Sequence, residues 1–153
     1  MLIKHIDARA RKEAANLAGP LMVSRGKVYQ LEELPGCCVE DTEGNLLGAI
    51  FYTVLNGECE IVSLESRAEN QGAGTRLIEA VITRARAEGC ARVWLITSND
   101  NTKAIRFYQK RGFDFKAVHR GAITEARKLK PSIPLIGYDG IPVRHELELE
   151  YLL

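Results

Sequence analysis

The sequence predicts an α/β (α+β) fold in which helices flank a mixed central sheet of about seven strands. Helix-like and strand-like patterns alternate along the 153 residues. Turn signals at Glu43-Gly44-Asn45 and Asn56-Gly57 divide one long apolar stretch into strands that would pair antiparallel. With 46% hydrophobic and 27% charged residues, the composition is that of a globular protein. We therefore expect residues 1–153 to form a single domain.

The first half of the chain is predicted to contain one strand, one helix and a three-stranded meander. Residues 2–6, LIKHI, are a short strand. Residues 7–19 are a helix with Asp7 as its N-cap and its end near Gly19-Pro20. The meander occupies residues 37–66, and we assign no element to residues 20–36.

The second half is predicted to begin with an amphipathic helix. Its apolar side chains fall on one face and are Leu77, Ile78, Val81, Ile82 and Ala85. Gly89 stands where a C-terminal cap belongs. The remaining elements are a buried strand at 91–98, a second helix at 101–112, and strands at 113–119 and 145–153.

Charge and composition exclude several classes of function. The chain has 21 basic and 20 acidic side chains and a net charge of +1, so we expect no nucleic-acid partner. No segment approaches the roughly 20 apolar residues that span a bilayer, and no signal-peptide pattern opens the chain. We therefore expect no membrane partner and a cytoplasmic location.

The cysteines and histidines do not form a metal-binding pattern. The cysteines lack C-x-x-C spacing and are predicted to be reduced thiols: Cys37, Cys38, Cys59 and Cys90. The three histidines are scattered along the chain, so we expect no metal.

The stretch SLESRAENQGAGTRLIEAV, residues 63–81, places two glycines one residue apart between a strand and a helix. Backbone N–H groups at a helix start have no intrahelical partner and lie at the positive end of the helix dipole. An anion would bind the backbone of Gln71, Gly72, Ala73, Gly74 and Thr75. The stretch matches neither a P-loop nor a full dinucleotide-binding fingerprint. For this loop alone, a tight turn whose glycines let the helix pack on the strand is the favoured interpretation.

A second motif, NDNTKAIRFYQKRGF at residues 99–113, changes that interpretation. With the upstream glycine loop, it resembles the GNAT superfamily of N-acetyltransferases. The family's later helix reads Asn-x-x-Ala-x-x-x-Tyr-x-x-x-Gly-Phe, and its glycine loop reads Gln/Arg-x-x-Gly-x-Gly/Ala. The residues that match the helix motif are Asn101, Ala104, Tyr108, Gly112 and Phe113.

The glycine loop departs from the family pattern at one position. The residue three before Gly72, usually Gln or Arg in the family, is Glu69. Because a carboxylate repels a pyrophosphate, we expect Glu69 to point to solvent and Arg67 or Arg76 to supply the missing positive charge.

The resemblance implies that acetyl-CoA is the co-substrate and lies where two parallel strands, residues 60–65 and 93–98, splay apart. Its pyrophosphate would bind the glycine loop, where glycine allows an approach that a Cβ would block. The strand backbone at Val62, Ser63 and Leu64 would bind the pantetheine arm and orient the thioester carbonyl. A backbone N–H would stabilise the negative charge that develops on the carbonyl oxygen.

Tyr108 and Asn101 take roles from the same resemblance. Tyr108 would donate a proton to the departing thiolate, because a phenol with a pKa of about 10 is protonated at neutral pH. The structural alternative for Tyr108 is an interior aromatic beside Phe107, which the motif disfavours. Asn101 would line the cofactor site and also cap its helix.

The general base that deprotonates the amine is left open by the sequence. Glu58 and Glu60 lie two residues apart on one side of the strand before the loop, where relatives often place this base. Solvated strand carboxylates are commoner than catalytic ones. His119 and His145 are the alternatives.

Two functions from different classes follow from these observations. The favoured one is an N-acetyltransferase that transfers an acetyl group from acetyl-CoA to an amine of a small molecule, peptide or protein. The other is a noncatalytic acyl-CoA binding or sensing module. The presence of Tyr108 favours the enzyme.

Residues 120–144 form an insertion between the last two predicted strands. Residues 122–130 have helical spacing, and Pro131 ends that helix. Because long ordered insertions are often binding elements, we expect this one to shape the amine pocket. The candidate contacts are Arg127, Lys128, Tyr138 and Asp139. The alternative is a surface excursion that caps the sheet or supports a homodimer.

Overall fold

The computed structural model describes residues 1–67 and 72–153. The strands of this part of the chain are β1 (Leu2–His5), β2 (Leu21–Ser24), β3 (Lys27–Gln30), β4 (Gly36–Glu40), β5 (Leu46–Leu55), β6 (Glu58–Ser66), β7 (Arg92–Ser98), β8 (Asp114–His119) and β9 (Glu146–Leu152). The α-helices are α1 (Arg11–Ala18), α2 (Ala73–Ala87), α3 (Thr102–Lys110) and α4 (Ala122–Leu129). No helix among the described residues has the length and apolar character that crossing a membrane requires.

Seven strands form one sheet in the order β1-β4-β5-β6-β7-β9-β8, and β2 and β3 form a separate hairpin. In the seven-stranded sheet as described, β6 and β7 pair in parallel and the other neighbours pair antiparallel. The meander of β4, β5 and β6 lies where the sequence predicts it. The predicted fold class is confirmed, and so is the insertion between β8 and β9.

Successive side chains of a strand point to opposite faces of the sheet, and the apolar ones form two clusters, one on each face. On one face, Ile61 of β6 packs with Leu77 of α2 and Tyr108 of α3. On the other face, Phe51 of β5 packs with Ala15 of α1. The sheet is therefore covered by α2 and α3 on one side and by α1 on the other.

The helix α2 forms as its apolar pattern predicts. The five predicted core positions are all buried: Leu77, Ile78, Val81, Ile82 and Ala85. Gly89 has a φ of 74°, and its N–H donates to the carbonyl of Arg86 at 3.0 Å. Gly89 therefore ends the helix as predicted, since few residues other than glycine adopt this backbone conformation readily.

The helix α1 begins later than the sequence predicts. A carboxylate oxygen of Asp7 accepts a hydrogen bond from the N–H of Ala10 at 2.8 Å. The helix itself starts at Arg11 and has no side-chain cap. Asp7 is therefore not the N-cap: its carboxylate closes the turn that precedes the helix.

The strand β6 contains a β-bulge and separates from β7 just beyond it. The residues of β5 that face Ser63 and Ile61 are adjacent, so Val62 is the extra residue of the bulge. As a consequence, Leu64 packs against the same cluster as Ile61, although the two residues are an odd number of positions apart along the strand. The parallel pairing ends at Ile61 and Leu95. The two strands part where the family resemblance places the cofactor cleft.

The hairpin of β2 and β3 occupies a stretch to which the sequence analysis assigned no element. Its turn residues Arg25 and Gly26 have φ angles of 49° and 78°. The Arg25 guanidinium pairs with the buried carboxylate of Glu146 at 3.0 Å. This ion pair fastens the tip of the hairpin to β9.

Candidate active site

A pocket of about 580 Å³ lies where β6 ends and where α2 and α3 begin. It brings together most of the predicted cofactor residues, namely Leu64, Gly72, Ala73, Gly74, Thr75, Asn101 and Tyr108. Two residues of the sequence analysis, Glu69 and Gln71, lie outside the described residues. The N-terminus of α2, whose first N–H groups lack helical partners, opens into this pocket.

The two glycines of the loop have different structural roles. Gly72 has a φ of 83°, and a Cβ there would meet no atom within 4 Å, so its backbone conformation requires glycine. At Gly74 a Cβ would lie 2.9 Å from Cζ of Phe107 in α3. Gly74 therefore permits the close packing of α2 on α3. The sequence analysis weighed packing of the helix on the preceding strand, but the contact that Gly74 permits is with another helix.

Arg111 places a guanidinium in the wall of the larger pocket. Its Nε donates to the Thr75 hydroxyl at 2.8 Å, and its guanidinium lies 3.7 Å from the centroid of the Phe107 ring. The two arginines expected to supply positive charge have other partners. Arg67 pairs with Glu13 at 3.0 Å, and Arg76 donates to the carbonyl of Met1 at 3.0 Å. The cations among the described residues that line this pocket are Arg111 and Lys103.

Asn101 and Tyr108 project from α3 toward the same pocket. The Asn101 side chain accepts a hydrogen bond from the N–H of Ala104 at 3.2 Å, so it caps the helix as predicted. Tyr108 is 7% exposed and packs edge-on against Phe107 and Phe113. Burial, followed by the charge of Glu65, raises the pKa of the Tyr108 phenol, which therefore stays protonated at neutral pH.

The three strand residues expected to bind the pantetheine arm differ in where their side chains lie. Leu64 lines the larger pocket. Val62 packs with Phe51 on the opposite face of the sheet, and Ser63 is buried. The predicted roles of Val62 and Ser63 rest on their backbone groups, which lie where β6 has left β7.

A second pocket, of about 210 Å³, lies between the hairpin and the surface of β5, β6 and β7. Glu60 alternates along β6 with Cys59 and Ile61, which belong to the cluster under α2. Its side chain therefore points to the opposite face, toward the hairpin. The two pockets consequently lie on opposite faces of the sheet. The smaller one covers the paired part of β6 and β7, and Glu60 stands one residue before the last pair, Ile61 with Leu95.

Glu60 is 4% exposed, and both of its carboxylate oxygens bind hydroxyl groups of the hairpin. Ser24 donates to one oxygen at 2.6 Å and Tyr29 to the other at 2.8 Å. Burial raises the pKa of Glu60 above its ordinary value of 4.5, and the two hydrogen bonds oppose this effect only in part. A carboxylate with a raised pKa is better matched to proton transfer near neutral pH.

The other candidate bases are held in contacts of their own. Glu58 also lines the smaller pocket, but it pairs with Arg92 at 3.2 Å. His119 binds Glu148 at 2.9 Å. Burial opposes the ionisation of Glu148, but hydrogen bonds from His119 and Arg92 outweigh it and lower the pKa of that carboxyl. His145 accepts a hydrogen bond from the N–H of Gly121.

The two histidines do not appear in the lining of either pocket within residues 1–67 and 72–153. In the same ranges, no group of three or more His, Cys, Asp or Glu side chains is arranged to hold a metal ion.

The insertion reaches the larger pocket through its tip. Tyr138 and Asp139 line this pocket beside the start of α3. Arg127 instead donates to three backbone carbonyls of the insertion itself, those of Ile133, Pro134 and Val143. Lys128 is exposed and pairs with Glu125. Of the four residues expected to contact the amine, the structure thus brings two to a pocket, and that pocket is the one at the glycine loop.

The tip of the insertion is fixed to the loop between β7 and α3. The Asn99 side chain accepts hydrogen bonds from the N–H groups of Arg144 and His145, both at 2.9 Å. The buried Asp100 accepts one from the N–H of Tyr138 at 3.2 Å. A Cβ at Gly137 would overlap the Asp100 carboxylate. These contacts place the tip directly beside the cap residue of α3.

A mixed sheet in which two parallel strands separate, with a helix that begins at a glycine loop beside the opening, is the architecture of an acyltransferase with a cleft for coenzyme A. The sequence model of the acetyltransferase (GNAT) family matches residues 5–113. The chain therefore belongs to the acetyltransferase (GNAT) family, and the resemblance is confirmed.

The chain is also similar to individual proteins and solved structures. The protein YdhI of Bacillus subtilis (strain 168) is 43% identical over 128 residues, covering 84% of this chain and 80% of that protein. An IAA acetyltransferase from Bacillus cereus ATCC 14579 has a TM-score of 0.78 at 20% identity and covers 99% of both chains. A GNAT family acetyltransferase from Elizabethkingia anophelis, with acetyl-CoA bound, has a TM-score of 0.78 at 19% identity and covers 99% of this chain and 97% of that one. At these identities the structural likeness shows the fold.

Several residues of the site were not predicted from the sequence. Arg111 lies inside the recognised helix motif, but its position opposite Thr75 depends on how α2 and α3 pack. Ser24 and Tyr29 belong to the hairpin, whose only sequence signal is alternation on both sides of Arg25-Gly26. That alternation is the signal that could have identified them.

Proposed function

We propose that the chain is an N-acetyltransferase that transfers the acetyl group of acetyl-CoA to an amine of a small molecule or of an exposed peptide or protein. The observation that carries this proposal is a pair of pockets on opposite faces of the sheet, one at the point where β6 has parted from β7 and the other over the last paired residues before it. One pocket is lined by the protonated phenol of Tyr108 and the other by the carboxylate of Glu60. Transfer to an amine needs both groups, because one proton leaves the amine and another reaches the departing thiolate.

The larger pocket supplies groups that fit acetyl-CoA. The N–H groups of residues 73–75 and the Arg111 guanidinium form one wall and suit the two charges of a pyrophosphate. The Leu64 side chain adds apolar surface for the pantetheine arm. When bound, acetyl-CoA supplies an acetyl thioester, whose carbonyl carbon is already activated for attack by an amine.

Glu60 is the proposed general base. Its carboxylate accepts the proton that leaves the amine nitrogen, either directly or through one water molecule. The hydroxyls of Ser24 and Tyr29 fix the orientation of both carboxylate oxygens. Burial raises the pKa of Glu60, which strengthens it as a base relative to a solvated glutamate. Glu58 is the weaker candidate because Arg92 already neutralises its charge.

Tyr108 is the proposed general acid. Its hydroxyl donates a proton to the departing sulfur, and burial in the aromatic cluster holds the ring in one position. Because burial raises the phenol pKa, the hydroxyl carries its proton throughout the physiological pH range.

The bulge at Val62 supports the role proposed for the strand backbone. An extra residue interrupts the ladder with β5, and the pairing with β7 ends one residue earlier. Ser63 and Leu64 remain in register with β5, so the backbone groups of Val62, Ser63 and Leu64 that face β7 are the ones proposed to orient a thioester and to donate to its carbonyl oxygen. The cytoplasmic location expected from the sequence remains part of this proposal.

Release of free thiol from acetyl-CoA, measured with a panel of amines, tests the proposal. Tyr108→Phe should lower kcat by about 10²–10⁴-fold and leave the Kd for coenzyme A nearly unchanged, since the ring is kept. Tyr151→Phe is the matched control, because Tyr151 packs against Phe113 in the same aromatic cluster and is not among the described lining residues of either pocket.

Two results would contradict the assignment. Coenzyme A binding without thiol release for any amine would favour the noncatalytic module. An unchanged kcat in Tyr108→Phe, under conditions where chemistry limits the rate, would remove Tyr108 from the reaction.

A further inference from the structure

Most charged side chains around the smaller pocket are already paired. Glu58 binds Arg92 at 3.2 Å, and Arg25 binds Glu146 at 3.0 Å. Lys27 also lines this pocket, but within residues 1–67 and 72–153 its ammonium forms no ion pair, and its charge acts on the Glu60 carboxylate only from a distance. The described lining therefore presents one cation that is not held in an ion pair.

Lys27 and Glu60 are connected by the ring of Tyr29. Lys27 and Tyr29 are two residues apart on β3, so both side chains lie on the same face of the hairpin. The Lys27 ammonium lies 5.0 Å from the centroid of the Tyr29 ring, whose hydroxyl donates to Glu60 at 2.8 Å. The cation and the buried carboxylate are thus separated by about the length of one tyrosine side chain.

The rest of the lining is partly apolar. Leu55 is 59% exposed at the end of β5, and Trp94 of β7 contributes its indole to the same wall. Arg92 covers the Trp94 ring, with its guanidinium 5.0 Å from the ring centroid. The pocket can therefore contact an apolar body between its two polar ends.

We propose that the acceptor is a small amine that carries its own carboxylate beside an apolar body, as an apolar amino acid does. The amine points toward Glu60 and the carboxylate toward Lys27. This inference rests on the proposed function and specifies its substrate class. An amine without an anionic group would leave Lys27 without an ion-pair partner at the pocket. The volume of about 210 Å³ fits a single small molecule.

Binding of matched amine pairs tests this assignment. The probes are phenylalanine against phenethylamine and leucine against isoamylamine, measured by calorimetry with and without saturating coenzyme A. The carboxylated member of each pair should bind roughly 2- to 5-fold more tightly, the worth of one partly exposed charge contact. Lys27→Met should remove that difference. Lys12→Met, which changes an exposed lysine of α1, is the control and should preserve it.

Each outcome bears on the inference. Equal binding within both wild-type pairs would overturn it, and so would a Lys27→Met variant that weakens both members of a pair equally. The failure of the proposed function has a different signature, in which the carboxylated amines keep their preference in binding but release no thiol. Conversely, thiol release by the decarboxylated amines with no preference between pair members would reject the substrate class alone.

Discussion

Replacing Gly74 by alanine tests whether this glycine serves helix packing or the approach of a phosphate. The added Cβ would lie 2.9 Å from Cζ and 3.3 Å from Cε1 of Phe107. Because non-bonded carbon atoms prefer separations of about 3.5–4.0 Å, the ring has to move by roughly 0.6–1 Å. Arg111 lies over this ring and Tyr108 packs against its edge. The displacement is therefore passed to both of these site residues.

The expected loss of stability is small because two effects oppose each other. Overpacking of this kind costs about 1–3 kcal/mol. Alanine in place of glycine inside a helix stabilises the folded state by about 1 kcal/mol. The net loss is about 0–2 kcal/mol, and for a chain of this size each kcal/mol lowers Tm by about 2–4 °C. Coenzyme A affinity, measured by calorimetry, should fall by about 10-fold, the loss of one charged contact at Arg111.

A double variant distinguishes the two roles of Gly74. Leucine at position 107 lacks the Cζ and Cε1 atoms that the new Cβ would meet. If Gly74 serves packing, Gly74→Ala combined with Phe107→Leu should bind coenzyme A more tightly than Gly74→Ala alone. The interaction free energy of such neighbours is about 0.5–3 kcal/mol. If the losses of affinity simply add, the Cβ itself blocks the ligand and the packing argument is refuted.

Two further predictions concern Glu60 and Gly137. Burial raises the pKa of Glu60 above 4.5, so the folded state favours the protonated side chain. The resulting contribution to folding stability is fully present below about pH 4.5 and is lost as the pH rises through the folded-state pKa. Glu60→Gln should therefore unfold at a higher temperature than wild type at pH 7–8, and this gain should shrink on acidification. Its kcat should be about 10²–10⁴-fold lower and lack the fall that wild type shows as Glu60 becomes protonated. A flat wild-type profile between pH 4 and 8 would argue against Glu60 as the base. Gly137→Ala should break the bond between Asp100 and the Tyr138 N–H, costing about 1–3 kcal/mol and speeding hydrogen exchange at that amide. Unchanged exchange there would show that the tip adapts to the methyl group.

The elements that the sequence predicted correctly have local signals. The helix α2 shows its apolar face in five residues spaced by helical turns, and Gly89 marks its end. The strands of the meander are bounded by glycine turns, one of which contains Asn56 with a φ of 53°. The Asn101 cap is likewise set by residues within one turn of helix. In each case the determining contacts lie within a few residues of one another.

The hairpin of β2 and β3 was missed because its turn residues are unusual. Two-residue hairpin turns favour Asn-Gly or Asp-Gly, since both positions need a positive φ. Here the first position is Arg25, and its N–H and guanidinium both bind Glu146 from the far end of the chain. A tertiary contact thus stabilises a backbone conformation that the local sequence does not indicate.

The two pockets were only partly predictable because they are assembled by distant contacts. Ser24 and Glu60 are 36 residues apart, and so are Thr75 and Arg111. Periodicity describes one element at a time and carries no information about such pairs. The family motif identified the glycine loop and Tyr108, because those positions recur at fixed spacing. It did not identify the hairpin, which shapes the face where the amine is proposed to bind.

The position of β9 in the sheet constrains how the protein can be synthesised. β9 lies between β7 and β8, although both precede it in the chain. While a ribosome is still adding residues 120–145, β7 and β8 each present an unpaired edge, and β8 has no partner in the sheet at all. Exposed strand edges promote association between nascent chains. Synthesis of β9 therefore joins β8 to the rest of the sheet, and a ribosome that stalls before Glu146 would leave an intermediate prone to aggregation.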